Sequence, residues 1–568
     1  MKLIGELITG QLLTMAHQVI NKKMHNRFII VSREKGSKIF LEKVTDLFLR
    51  EVQPYTFRNF DSMQKTSPVS LLLLLLATLF LSSYKTNLTN ALKPPKQKYN
   101  VLFIFVDDLR PDLGCYGNKI VHSPNIDKLG KQGTVFKNQF VTVPTCGASR
   151  ASILTGMLPR TATDLSNDVF EIRKAENIKT SPESFVENLK RNGYYTVGIG
   201  KISHSPDGHI YKYLQPKGKE MELPNSWNEM LFEPGKWGTG WNAFFGYANG
   251  TNRNELKGEA KPYEAADVED ESYPDGLTAN LAIKKLKELS AKDQPFFLGV
   301  GFFKPHLPFN APKKYWDLYD ESKIPMTPSP DIPNNVNPAS LHASGEFNGY
   351  KLGEEKAALS KPLSDAYARK LKHAYYAGVS YIDAQVGKVF NELKQLGLDK
   401  NTIIVVWGDH GWHLGDDRVW GKHTITEWAL RSPLIIKVPG KKQGISCDKI
   451  VSSIDIYPTL MELCNIKMPH ETDGKSIVPL LNTPQKNNWN NVAYSYYRNG
   501  ISMRTQQYRF TKYFRKEEPA EELYDHIKDP YENNNTAEKH PDVIKRLLPV
   551  WKKGNTGLYN KPGAKLDD

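Results

Sequence analysis

The run Asn100-Val101-Leu102-Phe103-Ile104-Phe105-Val106 is apolar without a break after its first residue, then stops at Asp107-Asp108. Alternating polarity would mark a strand with one wet face. An unbroken run marks a strand covered on both faces, the usual state of a strand in a parallel sheet. Similar runs recur at 195–199, 295–302, 402–407 and 433–438, and helical periodicity fills intervals between them, notably at 277–289 and 366–396. This alternation predicts an α/β domain with a mostly parallel central sheet flanked by helices. Ligands of such sheets gather beyond the carboxyl ends of the strands. The polar residues that end the runs are therefore the candidates for function.

At 568 residues the chain exceeds one compact core. The strand–helix alternation predicts a catalytic domain over 100–444. Beyond it, 452–464 reads as a helix and Val492–Tyr497 and Tyr508–Tyr513 as strands. A smaller C-terminal α+β subdomain with its own antiparallel sheet is expected over 445–568. Two long irregular stretches, 204–275 and 318–360, have the composition of lids or binding loops.

The leucine-rich stretch 69–81 follows Lys65 and precedes Ser82 and Ser83. A basic start, a short apolar run and a small-residue exit form the pattern of a secretory signal; an uncleaved anchor or a buried helix is the competing reading. A signal stands at the start of a chain, which points to Met63. Residues 1–62 are then a non-native or extra leader, 63–92 the signal peptide and 93–99 a tether. The expected destination is the periplasm or exterior, or the lysosome in a eukaryote, with the membrane met only during export.

The formal net charge is +14. That suits acidic substrates such as sulfated glycans and equally a lysine-rich soluble surface. The basic residues are scattered, which argues against nucleic acid as a partner. Four cysteines, Cys115, Cys146, Cys447 and Cys464, are too few for a disulfide scaffold. Pairing of Cys447 with Cys464 is left open.

The segment Cys146-Gly147-Ala148-Ser149-Arg150 leads into Leu154-Thr155-Gly156. The stretch 149–155 reads as the opening of a helix, whose N-terminus favours a bound anion, and Arg150 suits bidentate contact with carboxylates. Asp107-Asp108 and Asp409-His410 end two of the predicted strands. Acids at two strand ends on one sheet edge make an oxygen-rich cation site, suited to calcium or magnesium. Gly200-Lys201-Ile202-Ser203-His204 follows a third strand. A fourth leads to Phe303-Lys304-Pro305-His306-Leu307-Pro308, whose prolines fix the backbone around His306. Trp420-Gly421-Lys422-His423 completes the set. For His413, His423 and Glu427, supporting and purely structural roles stay open.

Taken together these motifs resemble those of the sulfatase family, of the alkaline-phosphatase-like superfamily, over about 100–438 and in the family's order. The family's signature reads Cys-x-Pro-Ser-Arg, then Leu-Thr-Gly; here Ala148 replaces the proline, which bears on the maturation enzyme that acts on the chain. Asp112-Leu113-Gly114-Cys115-Tyr116-Gly117, Ser123-Pro124-Asn125-Ile126-Asp127 and Glu522-Leu523-Tyr524-Asp525 add to the likeness. The Asp409-His410 pair is that of the iduronate-2-sulfatase branch. The resemblance implies a sulfuric ester hydrolase whose Cys146 is oxidised to formylglycine by a separate maturation enzyme. It implies one calcium ion held by Asp107, Asp108, Asp409, His410 and the modified Cys146, with Arg150, Lys201, His204, His306 and Lys422 around the sulfate. The implied substrate is a sulfated saccharide, with a 2-O-sulfate on a uronic acid. A phosphate or phosphonate ester hydrolase of the same superfamily and an unmatured glycan-binding protein are the alternatives.

Overall fold

A computed structural model describes residues 98–175 and 182–560. The expected leader, the signal and nearly all of the tether lie outside the described residues. Among those described, no helix is long and apolar enough to cross a membrane.

Eight strands form the central sheet: β1 (Asn100–Val106), β2 (Thr134–Phe140), β3 (Tyr195–Gly200), β4 (Glu229–Leu231), β5 (Phe296–Phe302), β6 (Thr402–Gly408), β7 (Leu434–Lys437) and β8 (Ile445–Ser452). Their order is β8-β2-β7-β6-β1-β5-β3-β4, and β7 alone runs against the rest. β1 lies near the middle, and its side chains divide by parity. Leu102, Ile104 and Val106 enter one core, and Val101, Phe103 and Phe105 enter the other. The first core is closed by helices α1 (Pro124–Gln132), α4 (Pro274–Ser290) and α5 (Asp365–Gln395). The second is closed by α2 (Cys146–Thr155), α3 (Phe185–Arg191) and α6 (Ile456–Cys464). Cover on both faces is the physical reason for the unbroken apolar runs.

The register brings the strand ends level. Val106 sits opposite Phe302 and Gly408, and Gly200 opposite Gly301. Asp107, Lys201, Phe303 and Asp409 therefore leave the sheet along one edge. Gly301 is required there, because a Cβ would lie 2.1 Å from the Lys201 carbonyl oxygen.

β8, which begins at the boundary expected at 444/445, pairs with β2 in the large sheet. The smaller sheet begins later, with β9 (Val492–Tyr497), β10 (Gly500–Thr505), β11 (Tyr508–Tyr513) and β12 (Glu521–Asp525) in antiparallel order. Helix α7 (Pro541–Gly554) packs on it through Trp551 against Phe510 and Phe514. The segment after β2 is tied to this sheet: the Tyr496 N–H donates to the Thr142 carbonyl at 2.7 Å and the Ser495 hydroxyl to the Val141 carbonyl at 2.6 Å. The small sheet thus fixes the approach to Cys146. All four cysteines are free thiols.

Phe103 stacks at 4.1 Å on Phe105 and at 5.8 Å on Phe185, with no exposure. Phe103→Ala is expected to cost about 3–5 kcal/mol through lost burial and an unfilled cavity. Chemical denaturation should show a lowered midpoint; an unchanged one would mean that the neighbouring rings collapse into the space.

Candidate active site

Helix α2 begins at Cys146, three residues before the helix opening expected at 149. The residue therefore occupies the first turn, with its thiol aimed at the sheet edge. Gly147 is dictated by close approach: a Cβ there would meet the Asn167 carbonyl oxygen at 2.2 Å, and its N–H donates to Asn167 Oδ1 at 2.9 Å. Cys146 Sγ lies 3.3 Å from His410 Nε2. Burial, with Asp107 adding to it, pushes the thiol up to about 12, so the unmodified sulfur is a poor nucleophile at neutral pH.

Arg150, one turn along α2, has no exposure. Its Nε donates to Asp409 Oδ2 at 2.9 Å, Nη1 to the Lys201 carbonyl, and Nη2 to Asp107 Oδ1 at 3.4 Å. The bidentate grip expected from the sequence is replaced by a three-way one, because the fork spans the ends of β1, β3 and β6. Asp409 Oδ1 in turn accepts the Asp108 N–H at 3.0 Å. Asp108 is held at a φ of 55°, in the left-handed region, between that bond and the Tyr375 hydroxyl, which donates to its carbonyl at 2.6 Å.

Ligand atoms of Asp107, Asp108, Cys146 and His410 lie within 4.8 Å of one another, all buried. Asp409 borders this group, with Oδ1 3.8 Å from His410 Nε2, while its other oxygen is committed to Arg150. The two leading acids differ in electrostatics. Burial would raise Asp107, but Lys201, His306 and Arg150 outweigh it and hold the carboxyl well below the usual range. Burial raises Asp108 well above it; Lys422 and His410 oppose the rise and Asp107 adds to it. Two buried carboxylates in contact with a histidine nitrogen and residue 146 are a donor set that fits a hard divalent cation, whose charge would relieve their repulsion.

Two ammonium groups flank the acids. Lys201 Nζ donates to Asp107 Oδ2 at 2.6 Å and lies 4.3 Å from the centre of the Phe244 ring. Lys422 Nζ donates to Asp108 Oδ1 at 3.0 Å. His306 faces the same acids, with Nε2 3.7 Å from Asp108 Oδ2 and 2.9 Å from Glu346 Oε1. Its Nδ1 faces the Leu307 carbonyl at 2.6 Å. Burial pulls His306 down to about 4, with Lys422 adding to the fall and Glu346 opposing it. A neutral ring has one proton for these two acceptors. The loop that carries His306 is anchored by Asp275 at the start of α4, which accepts the N–H groups of Phe303 and Lys304 at 2.7 and 3.2 Å.

His204 stands at the rim. Its ring packs against Trp241 at 5.3 Å and lines a cavity of about 420 Å³ together with Tyr211, Tyr213 and Glu222. Burial, with Lys201 adding to it, holds His204 well below the usual imidazole range.

The structure thus gathers Asp107, Asp108, Cys146, Arg150, Lys201, His306, Asp409, His410 and Lys422 at one sheet edge, with His204 beside them. Glu346 was missed. It lies in the irregular stretch 318–360, where no periodicity or motif marks a single acid, yet its carboxylate also reaches Lys422 at 3.5 Å. The residues left open resolve differently. His413 is buried on the Asp416 carbonyl and Thr424, and His423 stacks on Tyr497 at 5.6 Å. Glu427, with His526 and Glu532, forms a second group of metal-ligating types. There Arg509 bonds to both acids and Arg504 to Glu427, so the charges are already balanced in an ion-pair network between the sheets.

Residues 99–466 match a family model described as Sulfatase, and 408–550 one described as N-sulphoglucosamine sulphohydrolase, C-terminal. Iduronate 2-sulfatase of Mus musculus is 32% identical over 410 residues, covering 65% of this chain and 69% of that protein. A sulfatase of Formosa agariphila is 31% identical over 492 residues, covering 84% and 91%. A phosphonate monoester hydrolase from Silicibacter pomeroyi shares the fold, with a TM-score of 0.62 at 21% identity over 81% of this chain and 95% of that one.

Replacing Arg150 by methionine removes the cation from buried Asp409 and one of two cations from Asp107, a loss of about 3–5 kcal/mol. The Arg150→Met protein should melt at a clearly lower temperature than wild type. An unchanged melting temperature would show that Asp107 and Asp409 find other partners.

Proposed function

The chain belongs to the sulfatase family, and from that premise we propose that it removes a 2-O-sulfate from a uronic acid of a sulfated glycan, through a formylglycine made from Cys146 beside one bound calcium ion. The observation that carries this reading is the placement of Cys146. It opens a helix, touches His410 at 3.3 Å and adjoins the Asp107–Asp108 pair, with Lys201 and Lys422 on either side. The likeness to iduronate 2-sulfatase supports the choice of substrate.

Asp107, Asp108, Asp409 and His410 would hold the calcium, which supplies charge for a sulfate oxygen and a fixed template. A hydrated aldehyde at position 146 supplies two hydroxyls on one carbon, one for attack on sulfur and one for the later release of sulfate. The chain's own residues do the rest. Lys201 and Lys422 bring fixed positive charge to the sulfate oxygens, in a dry setting where each ammonium group counts for more than in water. His306, neutral at physiological pH, would turn its Nε2 proton from Glu346 to the leaving oxygen when the substrate binds. His204 is held neutral by burial, and the negative charge of a bound sulfate would raise its basicity enough for it to accept a proton at the rim. The first turn of α2 adds its N–H dipoles to the anion's environment. Sulfate carries less charge than phosphate, which suits several single-point contacts. An exported location, after removal of the stretch 69–81, places the enzyme where sulfated glycans are met.

Mass spectrometry of the peptide containing Cys146, from protein made in its native host, should find the aldehyde in active preparations. Full turnover from protein carrying only the unmodified thiol would refute the reading of residue 146. A panel of defined saccharides and esters should single out 2-O-sulfated uronates; preference for 6-O-sulfated hexosamines, or for phosphonate esters, would reject the substrate. Exhaustive chelation should lower both activity and melting temperature, and neither falling would remove the metal.

A further inference from the structure

Arg253 is a cation with few partners at the rim of the site. No carboxylate among the described residues forms an ion pair with it, and its side-chain partners are neutral groups, Asn254 Oδ1 at 3.5 Å and the Tyr350 phenol. A guanidinium has five donors, and leaving them unmet in a half-buried place is costly. Arg253 is nevertheless held in place. Its N–H donates to the Phe245 carbonyl at 3.2 Å, and its guanidinium lies 4.1 Å from the Phe245 ring and 5.2 Å from the Tyr350 ring. Stacking fixes the plane of the fork and leaves its edge free for an oxyanion.

The ring under Arg253 leads back to the reaction centre. Phe245 lies 6.3 Å from the His306 ring, and its neighbour Phe244 lies 4.5 Å from it. Tyr213 sets its edge against Phe245 at 5.5 Å and against Trp241 at 4.8 Å, and Trp241 carries His204 at 5.3 Å. Tyr213 is 46% exposed, an unusual state for a large ring amid such packing. The result is a buried aromatic wall of Trp241, Phe244 and Phe245 beside the sulfate-facing groups, with Tyr213 exposed on it and the Arg253 guanidinium against it without an acid. An exposed ring suits the apolar face of a sugar, and guanidinium groups suit planar carboxylates in two-point contact.

We propose that Arg253 is a specificity-determining residue that binds the carboxylate of the uronic acid whose sulfate is removed, with the exposed Tyr213 bearing the sugar ring. The inference rests on the sulfatase reading above and adds the group that selects uronates within it. An acid on the substrate supplies the charge the chain does not provide. A neutral hexosamine would leave the fork unpaired.

The test compares matured wild type with Arg253→Met and Arg253→Lys on a 2-O-sulfated uronate disaccharide and its carboxyl-reduced analogue. Wild type should favour the acid. In Arg253→Met the ratio of kcat/KM between acid and analogue should fall by at least about 30-fold, the scale of losing a partner from a hydrogen-bonded charge pair, mainly through KM. Arg253→Lys keeps the charge and loses the fork, so its ratio should fall in between. An unchanged ratio in Arg253→Met overturns the proposal, and so does an equal loss on both substrates with a lowered melting temperature, which marks a structural role. A wild type that hydrolyses both alike overturns it while the sulfatase reading stands. Calorimetric titration of the desulfated uronate into wild type and Arg253→Met separates the two readings. Arg253-dependent binding without hydrolysis of any sulfate ester would sustain the carboxylate contact alone and sink the sulfatase reading with the specificity role that rests on it.

Discussion

One guanidinium ties three strand ends together. Arg150 enters from α2, and its nitrogens reach Asp107 beyond β1, Lys201 beyond β3 and Asp409 beyond β6. Burying a charged fork is expensive, and the cost is offset because each side of it meets a carboxylate or a carbonyl. The same contacts set the spacing of the strand ends. Asp409, gripped by Arg150, receives the Asp108 N–H and so helps to hold that residue in its left-handed conformation. Cys146 lies one turn before Arg150 on the same helix. Cys146 and the acids are thus registered through a single side chain.

Around that anchor the charges are arranged in opposition. Asp107 and Asp108 accept from Lys201 and Lys422, and His306 meets Glu346. An anionic sulfate ester is the natural partner for ammonium groups so placed. The environment separates the two adjacent acids, one held low by its cations and the other raised by burial, and such divergence between neighbouring groups is typical of functional sites.

The small sheet contributes position. Its edge strand β9 takes the Val141 and Thr142 carbonyls, so the chain between β2 and Cys146 is fixed from the C-terminal side. The network of Arg504, Arg509, Glu427 and Glu532 ties that sheet to the segment just beyond Lys422. Residues far apart in the chain therefore share control of one helix start.

Sequence alone determined the sheet and most of its edge. Unbroken apolar runs are a direct consequence of burial on two faces, and acids that terminate such runs fall at strand ends wherever the strands lie in the sheet. Asp107, Asp108, Asp409 and His410 were legible for that reason, and the Cys146–Arg150 motif for its fixed residue types. The membership of β8 was not legible, because an eight-residue strand carries no mark of which sheet it joins. Glu346 and Arg253 were silent as well: each sits in an irregular stretch without periodicity, and its meaning comes only from what it faces. Tertiary structure decided those points. It placed one acid against His306 and left one guanidinium against an aromatic wall without an acid, because side-chain partnership is a matter of distance in space that the order of residues does not encode.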